Sequence, residues 1–277
     1  MIEKIGKRTL ILKNKPTILS YGSIVGKKEH EGPLSNEFDT FIEDSYFGEE
    51  SYEKAESKLQ TTAVEIALKK AGLEKEDIDN IFAGDLLNQC IGSSFGLMGF
   101  KIPFIGLYGA CSTMALSTSL ASIFVNCGAA EKAVAVTSSH FCSAERQYRF
   151  PLNYGNQRTP TAQWTVTGSG ALVIGKGENL PYINAITFGT IEDLGIKDAN
   201  NMGAAMAPDD VKIRPYPKNE GMVFFYTQIQ YLREVDMTTL GQVSSTVRYL
   251  LISLPLQNGT LHQGLRWDRV LHRRANR

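Results

Sequence analysis

From Met114 to Asn126 the chain carries no charge, and almost every side chain is apolar or small. The composition predicts a helix with no polar face, and such a helix must be buried on all sides. Its surroundings supply the means. Three short apolar runs, Asn80–Ala83, Pro103–Tyr108 and Ala133–Thr137, read as buried strands, and Gly128 stands where the helix should end. Strands alternating with helices predict an α/β fold: a mainly parallel, mixed sheet with helices on both faces.

The rest of the first two hundred residues fits that plan. Two short strands are predicted at Thr9–Leu12 and Thr17–Tyr21, broken at Pro16. A long helix is predicted from Ser51 to Ala71, because Ala55, Leu59, Ala63, Ile66 and Ala67 share one face. Ser51 is a natural N-cap, and Gly72 a natural residue just past the end. A short helix is expected over Cys90–Met98, and a long polar loop over 139–165. Thr167–Gly170 is read as a tight turn into a strand at Ala171–Ile174, which forms a hairpin with Tyr182–Gly189.

The sharpest chemical feature is Gly109-Ala110-Cys111-Ser112-Thr113, set between a strand and the apolar helix. A cysteine there meets unpaired N–H groups and the positive end of the helix dipole, which favour a thiolate. Small neighbours leave room for a ligand, as an acyl-accepting nucleophile requires. An inert buried cysteine at a tight turn is the other reading. Asp85, Asn88 and Gln89 follow the end of a strand, where open α/β sheets bind ligands, or they cap the next helix.

Charge and cysteine usage exclude other classes. Lys and Arg balance Asp and Glu at 29 each, so no global field favours a nucleic acid partner. Four scattered cysteines without a CxxC pair argue against structural zinc and for a reducing compartment. No metal and no cofactor is expected. The N-terminus lacks a signal-peptide core, and no run approaches the ~18 apolar residues of a membrane span.

Four segments carry a family resemblance: the stretch from Leu68 through GDLLNQ, Ile102–Met114 (IPFIGLYGACSTM), Ser138–Val173 (with AERQYRFPLNYGNQ), and Ile191–Pro208 (IEDLGIKDANNMGAAMAP). Together they resemble the stage V sporulation protein AD family, part of the thiolase-like superfamily of spore-forming Firmicutes. The resemblance implies a thiolase-like fold, with Cys111 at the nucleophile position. It implies binding of dipicolinic acid, its uptake into the developing spore and its release in germination. It implies work with other proteins of the same sporulation locus at the inner spore membrane, in the forespore or spore. It suggests a homodimer.

Dipicolinate is a flat dianion and calls for arginine forks, backbone N–H groups and small residues that admit a ring. Cys111, Ser112, Asn88, His140, Glu145, Arg146 and Arg149 are therefore the expected ligand-binding residues. His140 reads equally as a hydrogen-bonded structural histidine, and the loop arginines as solvated charges.

The resemblance stops near Pro208. Residues 1–208 are read as a thiolase-like N-terminal domain, and 209–277, with ten Lys/Arg against six Asp/Glu, as an unrecognised tail of low order. A truncation or frameshift after about residue 208 is the expected cause. In the thiolase-like fold the catalytic histidine and second cysteine or histidine come from the second half, so turnover is not expected. A thiolase or ketoacyl-synthase type acyltransferase using Cys111 is one alternative, and a nonfunctional truncated relative another.

Overall fold

The computed structural model describes residues 2–148, 165–189, 222–226 and 247–253. The backbone elements in chain order are β1 (Ile2–Ile5), β2 (Thr9–Leu12), β3 (Thr17–Gly26), α1 (Lys27–His30), β4 (Thr40–Ile42), α2 (Tyr52–Ala71), β5 (Asn80–Gly84), α3 (Ile91–Leu97), β6 (Phe104–Gly106), α4 (Thr113–Cys127), β7 (Ala133–Ser139), α5 (Phe141–Tyr148), β8 (Gly168–Gly175), β9 (Tyr182–Phe188), β10 (Met222–Tyr226) and β11 (Val247–Ser253).

The described strands form one mixed sheet in the order β1-β2-β9-β3-β8-β7-β5-β6, with β4 beside β3 and the β10–β11 pair joined through β9. The α/β, mixed-sheet expectation holds. Parallel pairing is narrower than expected: β5 runs parallel to β6 and β7, and β3 to β4. The other described pairings, such as β3–β8 and β7–β8, are antiparallel.

The pleat divides the core in two. Ile81 and Ala83, Val134 and Val136, Ala171 and Val173 point to one face and pack with Leu59, Ala63 and Ala67 of α2. Phe82, Ala133, Ala135 and Ile174 point to the other and pack with Ala121 and Val125 of α4. This alternation of period two is what lets one sheet bury apolar side chains against helices on both sides. Against the expectation that no run approaches a membrane span, helix α4 with its preceding turn Ala110–Ser112 is long and apolar enough to cross a membrane by length and composition alone. Most of that stretch is buried here, as expected of a core helix.

Helix α2 forms as its spacing predicts. Ser51 accepts a hydrogen bond from Lys54 N (3.2 Å), and Gly72 ends the helix with φ +63°. Ala55, Leu59, Ala63, Val64, Ala67 and Leu68 are buried, while Ile66 is only partly so. Three features differ from expectation. Strand β9 does not pair with β8; β3 lies between them, because β3 and β7 occupy both edges of β8. Gly168–Gly170 is not a turn but the start of β8, where an added Cβ at Gly168 would fall 2.8 Å from Ile24 O. The glycine serves close strand approach. A helix, α5, also occupies the first part of the expected polar loop.

Candidate functional site

Strands β5, β6 and β7 run parallel, so their C-terminal ends share one edge of the sheet. Each end delivers one of the segments singled out in the sequence. The turn Asp85–Cys90 follows β5, Leu107–Ser112 follows β6, and His140–Ser143 follows β7. Open sheets place ligands at such an edge because loops from several strands converge there.

The Cys111 turn is built by its neighbours. Ser112 donates from Oγ to Gly109 O (2.6 Å), Thr113 donates from Oγ1 to Ala110 O (2.7 Å), and Gly109 N donates to Thr113 Oγ1 (3.1 Å). Ala110 is held at φ +45°, a left-handed backbone that is costly for a residue with a Cβ. Gln89 and Cys90, in the adjoining turn, are left-handed as well. The two turns are tied by the Cys90 thiol, which donates to Leu107 O (3.3 Å). Backbone strain of this kind concentrates where geometry serves function.

Cys111 is exposed. Its sulfur still stands among enough protein for desolvation to push the thiol above its ordinary value, against a smaller lowering from its own backbone N–H. Burial thus opposes the thiolate that a helix N-terminus would favour. Ser112 is fully buried and its hydroxyl is engaged within the turn, so it shapes the site from below.

Asn88 is exposed at the same edge. Asp85 is buried and caps the start of α3, accepting from Leu87 N (2.8 Å), Ser93 N (2.7 Å) and Ser93 Oγ (2.6 Å). Of its two readings the capping one is realised. His140 is fully buried. Its Nε2 bonds Ser45 O (2.8 Å), and its Nδ1 accepts from Cys142 N (3.2 Å). The ring stands beside Tyr52 and Phe141, at 5.0 and 5.2 Å. That is the structural reading of His140, anchoring the start of α5. Glu145 and Arg146 lie within α5, but their side chains are outside the described residues, as is Arg149 altogether.

A recess of about 310 Å³ adjoins this edge rather than Cys111, with Lys27, Glu29, Glu43, Ser45, Phe141 and Thr167 among its walls. It carries Lys27 and Lys28 against Glu29, Glu31 and Glu43. Among the described residues its carboxylates outnumber its ammonium groups, which does not favour a dianion there.

Sequence reasoning passed over the buried polar cluster beneath the edge. Glu56 and Gln60 of α2, both fully buried, meet Ser93, Ser138 and Ser143. The signal was present, since Glu56, Gln60 and Val64 lie four apart on a helix face that is otherwise apolar. Among the described residues, no group of three or more His, Cys, Asp or Glu is arranged to hold a metal ion.

A model of the family Stage V sporulation protein AD (SpoVAD) matches residues 6–218. The chain is 44% identical over 203 residues to Stage V sporulation protein AD of Bacillus subtilis (strain 168), a match covering 73% of this chain and 60% of that protein. The chain thus spans less than two thirds of that relative's length. Solved structures with partial likeness include 3-oxoacyl-[acyl-carrier-protein] synthase III of Aquifex aeolicus, at 17% identity and a TM-score of 0.41, over 59% of this chain and 54% of that one. The corresponding synthase of Xanthomonas oryzae is 14% identical with a TM-score of 0.44, over 69% and 62%. An OleA variant of Xanthomonas campestris is 13% identical with a TM-score of 0.45, over 65% and 62%.

Proposed function

The chain belongs to the stage V sporulation protein AD family, a family of sporulation proteins, and on that premise we propose that it binds dipicolinic acid at the Cys111 edge and supports its passage into the developing spore and its release in germination. The observation that carries this reading is the convergence of three strand ends around an exposed Cys111, flanked by left-handed Ala110, Gln89 and Cys90. A planar ring fits against small residues, and Gly109, Ala110 and Ser112 supply them. Charge for the two carboxylates is assigned to Arg146, in α5 after β7, and to Arg149. Partner proteins of the same locus at the inner spore membrane, and a second copy of the chain, complete the proposed assembly.

Calorimetry of dipicolinate against the wild type and Cys111→Ala tests the site. Binding weakened at least several-fold in the variant is expected, and unchanged binding removes Cys111 from the site. Burial that opposes ionisation of the thiol does not favour the acyltransferase alternative. An acyl–Cys111 adduct trapped from acyl-CoA and seen by mass spectrometry would reinstate it.

A further inference from the structure

The start of the chain concentrates positive charge on an exposed hairpin. Residues 2–15 hold Lys4, Lys7, Arg8, Lys13 and Lys15 against Glu3 alone, in a chain with 29 charges of each sign. Strands β1 and β2 pair antiparallel with Ile5 opposite Thr9, so Gly6, Lys7 and Arg8 form the turn between them. Gly6 takes φ +61°, which lets the chain reverse in so few residues. Every residue from Lys4 to Arg8 is exposed. Lys13 pairs with Glu3, and Lys15 lies over the Tyr182 ring, 5.0 Å from its centre. Among the described residues, no ion pair takes up Lys4, Lys7 or Arg8.

Topology sets this tip apart from the Cys111 edge. Thr9 pairs with Thr187, and Arg8 O accepts from Phe188 N (3.1 Å), so the tip stands at the C-terminal end of β9. Strand β9 runs against β3, and β3 runs with β7, since β8 is antiparallel to both. The C-terminal end of β9 is therefore at the end of the sheet where β5 and β7 begin, opposite Cys111. The turns that enter β5 and β7, residues 74–79 and 131–132, hold five carboxylates against two lysines. They belong to strands six and five places from β1 in the sheet. At about 4.8 Å per strand they lie more than about 20 Å away, beyond the ~8–10 Å over which exposed charges act on one another in salt. The tip is thus a separate positive corner of the molecule.

A lysine on an edge strand blocks sheet-to-sheet pairing, and that accounts for Lys4. Lys7 and Arg8 stand in the turn, where there is no edge to guard. Ile5, flanked by these cations, is 53% exposed. An apolar side chain among cations fits the boundary between anionic headgroups and acyl chains, where the cations meet phosphates and the apolar group reaches below them. A nucleic acid gains nothing from Ile5, and three cations are few for one. We infer that the hairpin tip, Lys4 to Arg8, docks the chain on a lipid surface bearing anionic headgroups, with the Cys111 edge turned away from that surface and open to its ligand. Direct contact with lipid goes beyond the partner proteins proposed above.

Co-sedimentation of the full chain with vesicles of phosphatidylcholine, with and without about a third phosphatidylglycerol, tests the tip. Binding to the phosphatidylglycerol vesicles, and not to phosphatidylcholine alone, is expected, and it should weaken as salt rises from about 0.05 M to about 0.5 M. The combined change Lys4→Glu, Lys7→Glu and Arg8→Glu should lower the partition coefficient at least about tenfold, and Ile5→Ser should lower it several-fold. Dipicolinate affinity should be the same in both variants as in the wild type, so failure of the lipid contact and failure of the ligand site are seen separately. A wild type that does not bind the anionic vesicles overturns the inference, as does undiminished binding after charge reversal. Ile5→Ser binding as tightly as the wild type would mark a general polyanion contact and overturn the assignment to lipid. If charge reversal impairs folding, glutamine at the same three positions decides by the same readings.

Discussion

A thiol just ahead of a helix N-cap is pulled two ways. The dipole favours the anion by a fraction of a unit to a few units, while protein packed around the sulfur removes the water that would solvate it. At Cys111 burial pushes the thiol up. Its alkylation by iodoacetamide should therefore rise with pH up to and beyond the midpoint of a free cysteine peptide. A rate that levels off below about pH 8 would show the dipole in command. Gly84 shows the same turn from beneath. A Cβ at Gly84 would sit 2.1 Å from Leu107 O and 2.6 Å from Thr113 Cγ2. Gly84→Ala must push the segment before Cys111 outward, and a loss of about 2 kcal/mol or more in urea unfolding is expected. The turn that carries Cys111 was legible from its local sequence, because strand, small residues and helix follow one another directly. The role of His140 was not: its Nε2 partner is a backbone carbonyl of Ser45, 95 positions away, which no local pattern reveals.

Elements repeat this division between near and far. The bounds of α2 were legible because a cap reads only three or four residues. Ser51 Oγ accepts from Lys54 N, and Gly72 takes the left-handed turn. Ser51→Ala should cost about 1 kcal/mol in thermal or urea unfolding. A change below about 0.3 kcal/mol would mean that water replaces the cap. Helix α5 escaped notice because it begins on Phe141, directly after a strand, without a serine, threonine or aspartate N-cap to mark it. The pairing of β9 escaped for a different reason. Adjacent strands in sequence suggest a hairpin, but β8 already has β3 on one edge and β7 on the other. Only the far-off start of the chain, folding into the sheet as β3, displaces β9 outward. Register with distant strands is a global property, and hydrophobic alternation leaves it open.

At the scale of the molecule, the sheet hides apolar side chains on both faces and sets one buried polar cluster, Glu56, Gln60, Ser93, Ser138 and Ser143, where the parallel strands end. The cost of that arrangement appears as pH dependence. Glu56 holds its proton with a pKa of about 7 in the folded chain, against 4.5 for an unperturbed side chain. Below the lower value both folded and unfolded states are protonated, and the favourable contribution is fully present. Between the two values the unfolded chain releases the proton and the folded chain keeps it, so stability falls as pH rises. Above about pH 7 both states are ionised and the loss is complete, at about 3 kcal/mol. Other carboxylates titrate over the same range, so the informative quantity is the wild type minus Glu56→Gln. That difference should decline from pH 4.5 to pH 7 and then stay level in urea unfolding. A level difference throughout would mean that Ser138 and Ser143 solvate the carboxylate as well as water does. A rising difference would mean that a cation reaches Glu56 in the folded chain and stabilises its charge.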